Sequence, residues 1–503
     1  MAYTLSLLDA SLIIAGLYII KRWVTRPPAP LPPGPKAWPI IGNFLDMPSS
    51  QEWLTFTKWA EKYGDIVSVS VMGQRIIILN SSEAAINLLD KKSSIYSGRP
   101  RLYMCQLCGW DNLVAMMQPH QERFKHIRTD FHQTIGTPSS METFLPVEED
   151  ETRKFVNRIL REPDDLFSHV RRTAGSIVLR IAYGYPGQKT NDPLVKLADD
   201  VLTYFSEGTA PGSYWVNAIP ALRFLPEWFP GGRFKATAKV WRESTFQLAE
   251  IPIKFVKDKM AEGKAETSFT SRLLSENMDL TSEQEEDIKW SSNAMYGGGA
   301  DTTVATINSF FLAMLLFPEV MKKAQEELDS VVGRDRLPLF LDRDNLPYTN
   351  ALALEALRWH TVAPTGIPHA VLNDDIHEGY FIPGGSIVIP NIWKMLHDER
   401  VYHDPFRFNP ERFLGLNPEP DPTGVCFGFG RRICPGRILA DASVFIACAM
   451  TLACCNIDKY KENGKVVEPV HDQSTGTVSH PIPFKCVITP RSSKVFDILG
   501  LDD

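Results

Sequence analysis

The sequence predicts a mainly α-helical domain with small β-sheets, an α+β chain of large size, set behind an N-terminal membrane anchor. Three observations carry this reading. Long apolar runs at helical period dominate, notably Ile288 to Leu316 and Arg437 to Ile446. The strand-like segments are short and bounded by glycine or proline, as at Ile66 to Val71, Arg75 to Leu79 and Ile387 to Pro390. The chain has 503 residues, more than one ordinary core, yet no repeat, low-complexity block or linker interrupts it after residue 36. We therefore read residues 36–503 as one large domain built around a cofactor.

The anchor is predicted over residues 1–26. Leu5 to Ile20 is apolar apart from Asp9, and Lys21, Arg22 and Arg26 follow before any further acidic residue. A cleaved signal peptide is the rival reading, but the charges follow the apolar run and no small-residue cleavage site is evident. The positive flank places the rest of the chain on the cytosolic side. Residues 27–35, with six prolines in nine positions, prefer an extended conformation and read as a semi-rigid hinge. Beyond it come a helix (Trp53 to Tyr63), two strands joined at Gly73, a helix from Ser82, an irregular stretch to about Gln118 and a helix from Gln121 to Phe131. Trp215 to Phe234 is an aromatic loop that either dips into a bilayer or packs on the protein itself.

Composition is that of a globular protein, with 44% hydrophobic and 22% charged residues, and a net charge of -7 argues against nucleic acid as a partner. The eight cysteines form neither a disulfide framework nor paired metal clusters, and Cys105 and Cys108 lack a second pair or a histidine set. Reduced thiols facing the cytosol are expected. One cysteine stands apart. Cys434 lies in Phe427-Gly428-Phe429-Gly430-Arg431-Arg432-Ile433-Cys434-Pro435-Gly436, a glycine-punctuated loop followed by a helix. We read it as a thiolate ligand to iron, its pKa lowered by the helix start and by Arg431 and Arg432. The bland alternative is a buried structural thiol. Gly297-Gly298-Gly299-Ala300-Asp301-Thr302-Thr303 interrupts the longest apolar helix, and three mid-helix glycines cost roughly 1 kcal/mol each relative to alanine. Such a cost implies a packing or functional reason.

The ten-residue stretch around Cys434 resembles the haem-binding signature of the cytochrome P-450 monooxygenases, matching F-x-x-G-x-R-x-C-x-G at Phe427, Gly430, Arg432, Cys434 and Gly436. Asp301-Thr302 resembles the acid-alcohol pair of that family. Glu355 and Arg358 match its E-x-x-R pair, with Arg412 as the third member of a triad. The resemblance runs over residues 36 to 490. It implies haem b (iron protoporphyrin IX) held axially by Cys434, with Phe427 and Gly436 beside the ligand and Arg128, His369 and Arg432 on the propionates. It implies O2 as co-substrate, with Asp301 and Thr302 delivering protons, and electrons from NADPH through a separate NADPH-cytochrome reductase, with cytochrome b5 as an optional second donor. No flavin or dinucleotide fingerprint follows the haem loop.

The sequence departs from the family where a tryptophan should donate to a propionate. Phe124 stands there, with Lys125 and His126 as potential substitutes. A basic face of Arg123, Lys125, Arg431 and Arg437 is expected to meet the reductase. The resemblance also implies an endoplasmic reticulum membrane protein, single-pass, with a lipophilic small-molecule substrate. Stretches such as Tyr96 to Pro100 and Trp228 to Gly231 are similar to fungal members acting on natural products, which favours a terpenoid or other secondary metabolite over a polyketide, alkaloid, fatty acid or xenobiotic. The expected pocket comprises residues 103–117, 294–302, 362–367 and 475–478. The rivals are a non-catalytic haem protein and a haem-thiolate isomerase or dehydratase, neither of which needs Asp301-Thr302.

Overall fold

The computed structural model describes residues 27–188, 192–210, 213–276 and 279–500. The expected anchor, residues 1–26, lies outside the described residues. The principal elements in chain order are α1 (Glu52–Tyr63), β1 (Ile66–Val71), β2 (Gln74–Leu79), α2 (Tyr103–Cys108), α3 (Glu122–Ile135), α4 (Leu145–Arg161), α5 (Leu166–Tyr183), α6 (Pro193–Thr209), α7 (Phe234–Ala261), α8 (Ser282–Leu316), α9 (Pro318–Val331), α10 (Pro347–Trp359), β3 (His369–Ala370), β4 (Asp375–His377), β5 (Tyr380–Ile382), β6 (Ile387–Pro390), α11 (Arg437–Cys454), β7 (Cys455–Lys459) and β8 (Cys486–Pro490). One four-stranded sheet has the order β1-β2-β6-β3, in which β2 and β6 run parallel. The pairs β4-β5 and β7-β8 stand apart from it.

The helix α8 begins six residues before the apolar run. Thr281 and Gln284 form a reciprocal capping box there, which satisfies amide groups at the helix start. It continues without a break through the three glycines, and they do different work. A Cβ on Gly298 would meet nothing within 4 Å, whereas one on Gly299 would sit 2.8 Å from Val178 Cγ2 on α5. Gly298 thus opens space and Gly299 permits close helix packing. The stretch after Tyr96 is less irregular than expected, since α2 forms within it.

The second half of α8 packs with α4, α5, α10 and α11 in the largest apolar cluster, around Phe310, Phe311 and Phe445. Both α8 and α11 are long and apolar enough to cross a membrane, but 78% and 72% of their most apolar windows are buried inside the protein. They are core helices. The proline-rich segment is tied to the domain: the Pro30 and Pro33 carbonyls accept from the amides of Phe381 and Ser68 at 2.7 and 2.9 Å.

Candidate active site

The cysteine loop is fixed by its own backbone. Gly430 has φ +52°, and a Cβ there would lie 2.3 Å from the Leu89 carbonyl oxygen, so only glycine fits. The amide of Cys434 donates to the Phe427 carbonyl at 2.8 Å, folding the loop back on itself. Arg128 on α3 donates to the Ile433 carbonyl at 2.6 Å and pins the residue before the thiol. Burial raises the Cys434 thiol pKa above its ordinary value; the Gly436 amide, Arg128 and Arg437 pull it down but do not prevail. The expectation of a lowered pKa is corrected here. Enclosure outweighs the Gly436 amide and the two neighbouring arginines.

Behind the loop lies a cavity of about 400 Å³. Seven of the eight residues expected at the site line it: Arg128, Thr302, His369, Phe427, Arg432, Cys434 and Gly436. Asp301 does not. Its carboxylate is turned to His480, whose Nε2 lies 3.1 Å away, and to Arg171 on α5 at 3.4 Å. Arg171 also reaches Asp199 on α6 at 3.0 Å. His480 and Arg171 hold the Asp301 carboxyl below its usual pKa even though burial opposes this. Thr302 donates to the Gly298 carbonyl at 2.9 Å, leaving its oxygen free to accept from the cavity side.

One rim of the cavity is strongly cationic. Arg99, Arg128 and Arg432 line it, and none has a carboxylate partner among the described residues. Arg432 donates to the Ser97 and Met117 carbonyls at 2.8 and 2.6 Å, and Arg99 to those of Ala115, Ile367 and Pro368 at 2.7 to 2.8 Å. Burial and the nearby Arg432 push Arg99 well below the usual arginine range. Charges so enclosed require an anion. His369 joins them through Nδ1–H, which donates to the Tyr96 carbonyl at 2.7 Å, and burial holds its pKa well below the ordinary value.

These residues fit haem: a thiol in the wall of a largely apolar cavity, and at its rim a set of cations suited to two carboxylates. Cys434 would hold the iron and Arg99, Arg128, Arg432 and His369 the propionates. Arg99 was not singled out from the sequence, because only its fold partners reveal that it faces inward.

The cytochrome P-450 family model matches residues 32–487 of this chain. The chain belongs to the cytochrome P-450 family. Among curated relatives it is 48% identical over 488 residues to cytochrome P-450 monooxygenase 208 of Postia placenta, covering 96% of this chain and 95% of the relative. It is 45% identical over 499 residues to the cytochrome P-450 monooxygenase claR of Ampulloclitocybe clavipes, covering 98% and 92%. It is 39% identical over 503 residues to the O-methylsterigmatocystin oxidoreductase of Aspergillus flavus, covering 98% and 94%. This cytochrome P-450 is a monooxygenase by these relationships.

Within that identity the departure at Phe124 has a structural answer. Its ring lies under the Arg432 guanidinium, 4.3 Å from the centroid, so the position orients an arginine instead of donating a hydrogen bond. Lys125 and His126 do not substitute for the lost indole. Lys125 pairs with Glu122 at 2.7 Å on the surface, and His126 is exposed beside Asp287. Arg123 is also misplaced in the sequence reading, because it is bonded to Asp287 of α8 and to Asn112. The E-x-x-R triad forms as expected. Glu355 accepts from Arg358 at 2.7 and 2.8 Å, from Arg412 at 3.1 Å and from the Asn409 amide at 2.8 Å, and all three charged side chains are buried.

Proposed function

We propose that this monooxygenase hydroxylates a lipophilic secondary metabolite, a terpenoid foremost, by RH + O2 + NADPH + H+ → ROH + H2O + NADP+. The observation that carries the reading is the one cavity lined by Cys434, Thr302 and apolar side chains that include Leu113, Leu202, Phe205 and Val478. Bound haem supplies the activation of dioxygen, with the thiolate pushing electron density toward O-O cleavage. The chain supplies the rest. Apolar side chains seat the substrate and exclude water. Thr302, its hydrogen engaged by Gly298, accepts a hydrogen bond at Oγ1 from the cavity side, and passes a proton on when its own O–H turns from Gly298 toward the cavity. Asp301 receives protons from the half-exposed Arg171 and His480 side, where the network reaches solvent. A role as a mere haem carrier leaves this relay unused.

Electrons come from a separate NADPH-cytochrome reductase docking near the cysteine loop, where Arg431 is exposed and Arg437 is half-buried. The reading includes an endoplasmic reticulum anchor in residues 1–26 with the domain in the cytosol. Exposed Trp228 (83%), Phe224 (74%) and Ile40 (91%) support bilayer contact, and Trp215 joins the two regions through Phe44, with ring centroids 5.3 Å apart. The deciding experiment is the reduced carbon-monoxide spectrum. Wild type should show the red-shifted Soret band of a thiolate-ligated haem, Cys434→Ala should lose it and Cys426→Ala should keep it. Persistence of the band in Cys434→Ala refutes the assignment.

A further inference from the structure

Asn293 lies on α8 one turn before Gly297 and lines the cavity with only 4% of its surface exposed. Its carboxamide makes no hydrogen bond to any described residue, and Oδ1 is fully shielded. Several other polar groups in the lining are occupied. Trp110 Nε1 donates to Thr245 Oγ1 at 3.0 Å, Thr245 donates to the Trp241 carbonyl at 2.8 Å, and the hydroxyl of Thr477 pairs with that of Thr209 at 2.9 Å. An enclosed, unpaired amide is costly, and one that faces a ligand-sized cavity is suited to be completed by what the cavity binds.

We propose that Asn293 is a specificity-determining residue that binds a hydroxyl group of the substrate, so that the enzyme takes a lipophilic alcohol in preference to a bare hydrocarbon. The proposal rests on the haem-thiolate reading above and narrows its substrate class. A hydroxyl gives one hydrogen to Oδ1 and takes one from Nδ2, so it satisfies the carboxamide whichever way the amide is turned, whereas an ether can only accept. A carboxylate would seek the unpaired arginines, and these accompany the cysteine loop and His369 rather than Asn293.

Asn293 stands nine positions before Thr302 on the same helix, ~13 Å at the rise of an α-helix. Nine positions are about two and a half turns, so the two side chains leave α8 on different sides and both reach the cavity; the hydroxyl is held apart from the Thr302 end, and the product is a diol. A substrate of this kind must come from a reaction that has already installed oxygen: a cyclisation ended by water, an earlier hydroxylation or a carbonyl reduction.

The test is spin-state titration of the purified holoenzyme with two matched sets, cedrol against cedryl methyl ether and cedrane, and farnesol against farnesyl methyl ether. The alcohols should bind about tenfold or more tightly than their partners. Asn293→Leu, which is nearly isosteric, and Asn293→Ala should bring the ratio close to one, while Asn293→Ser should retain part of it. The ratio is read in whichever variants keep the thiolate carbon-monoxide band. A crystal structure with cedrol should place its oxygen in hydrogen-bond contact with the carboxamide. Equal binding of alcohol and ether by wild type, or a preference that survives in the Leu and Ala variants, overturns the proposal and leaves Asn293 holding water. Failure of every compound to perturb an enzyme that shows the band also overturns it, with the haem-thiolate reading intact. Absence of the band in wild type overturns that underlying reading instead.

Discussion

Replacing Glu355 by glutamine is the sharpest probe of what holds the cysteine loop in place. The carboxylate is 0% exposed and stands between Arg358, also 0% exposed, and Arg412 at 6%. Glutamine keeps one acceptor oxygen but turns an NH2 toward a guanidinium, leaving Arg358 buried without a carboxylate and Arg412 with Glu419 alone. Breaking a buried pair in this way costs about 3–5 kcal/mol, against a total stability on the order of 5–15 kcal/mol. The damage should also be directional. Arg358 satisfies the Leu396 and Pro405 carbonyls at 2.8 and 2.7 Å, and Arg412 those of His403 and Asp404 at 2.9 and 3.2 Å, so the segment leading to the cysteine loop depends on both. Glu355→Gln should therefore yield protein with most of its helical circular dichroism but little haem per chain, melting well below wild type. Replacing both members of the pair, as in Glu355→Leu with Arg358→Met, should not rescue it, because the carbonyls would lose their donors. Wild-type haem content together with stability within about 1 kcal/mol of wild type would refute the reasoning.

Thr302→Ala should keep NADPH consumption and lose product, with hydrogen peroxide released instead; an unchanged product yield per NADPH counts against the relay. Acid should destabilise the fold, because burial pushes His360 and His397 down to about 3 and His471 to about 4. The unfolded chain takes up protons below about pH 6.5 that the native state refuses, so the stabilisation is complete above that pH and is lost downward toward the folded values. Each imidazole should remove about 2 kcal/mol between pH 7 and pH 5, opposed by Asp130, which burial pushes up to about 6. Melting temperatures at the two pH values, with His360→Gln flattening the difference, check this; equal melting in wild type refutes it. Arg431→Glu should slow reduction by the reductase and flatten its salt dependence without altering the haem spectrum, and an unchanged salt slope would move the docking site elsewhere.

What the sequence made legible was local. The spacing from Phe427 to Gly436 fixes the ligand loop, and the bounds of β1 and β6 follow from their glycine and proline flanks. Relations across distance were hidden. The partners of Asp301 lie 130 and 179 positions away, at Arg171 and His480, and no periodicity connects them. Arg123 looked like a surface cation on an amphipathic helix, and only the approach of α8 reveals Asp287 opposite it. The sign of the Cys434 shift failed for a related reason: nearby charges can be counted along a chain, whereas enclosure depends on everything packed around the thiol.

The short turn from Ser474 to His480 has a consequence for anyone redesigning this enzyme. Its tip places Thr477 and Val478 in the cavity wall, while its stem is tied by the Ser474 amide donating to the His480 carbonyl at 2.8 Å and the His480 amide donating to Ser474 Oγ at 2.9 Å, and carries the imidazole that grips Asp301. Under the proposed relay, ligand choice and proton supply share one turn of seven residues. Library mutagenesis at the tip should trade new substrates for wasted reductant unless the serine-histidine stem is held constant, and compensating changes are expected behind the cavity at Arg171 or Asp199, which share the Asp301 network.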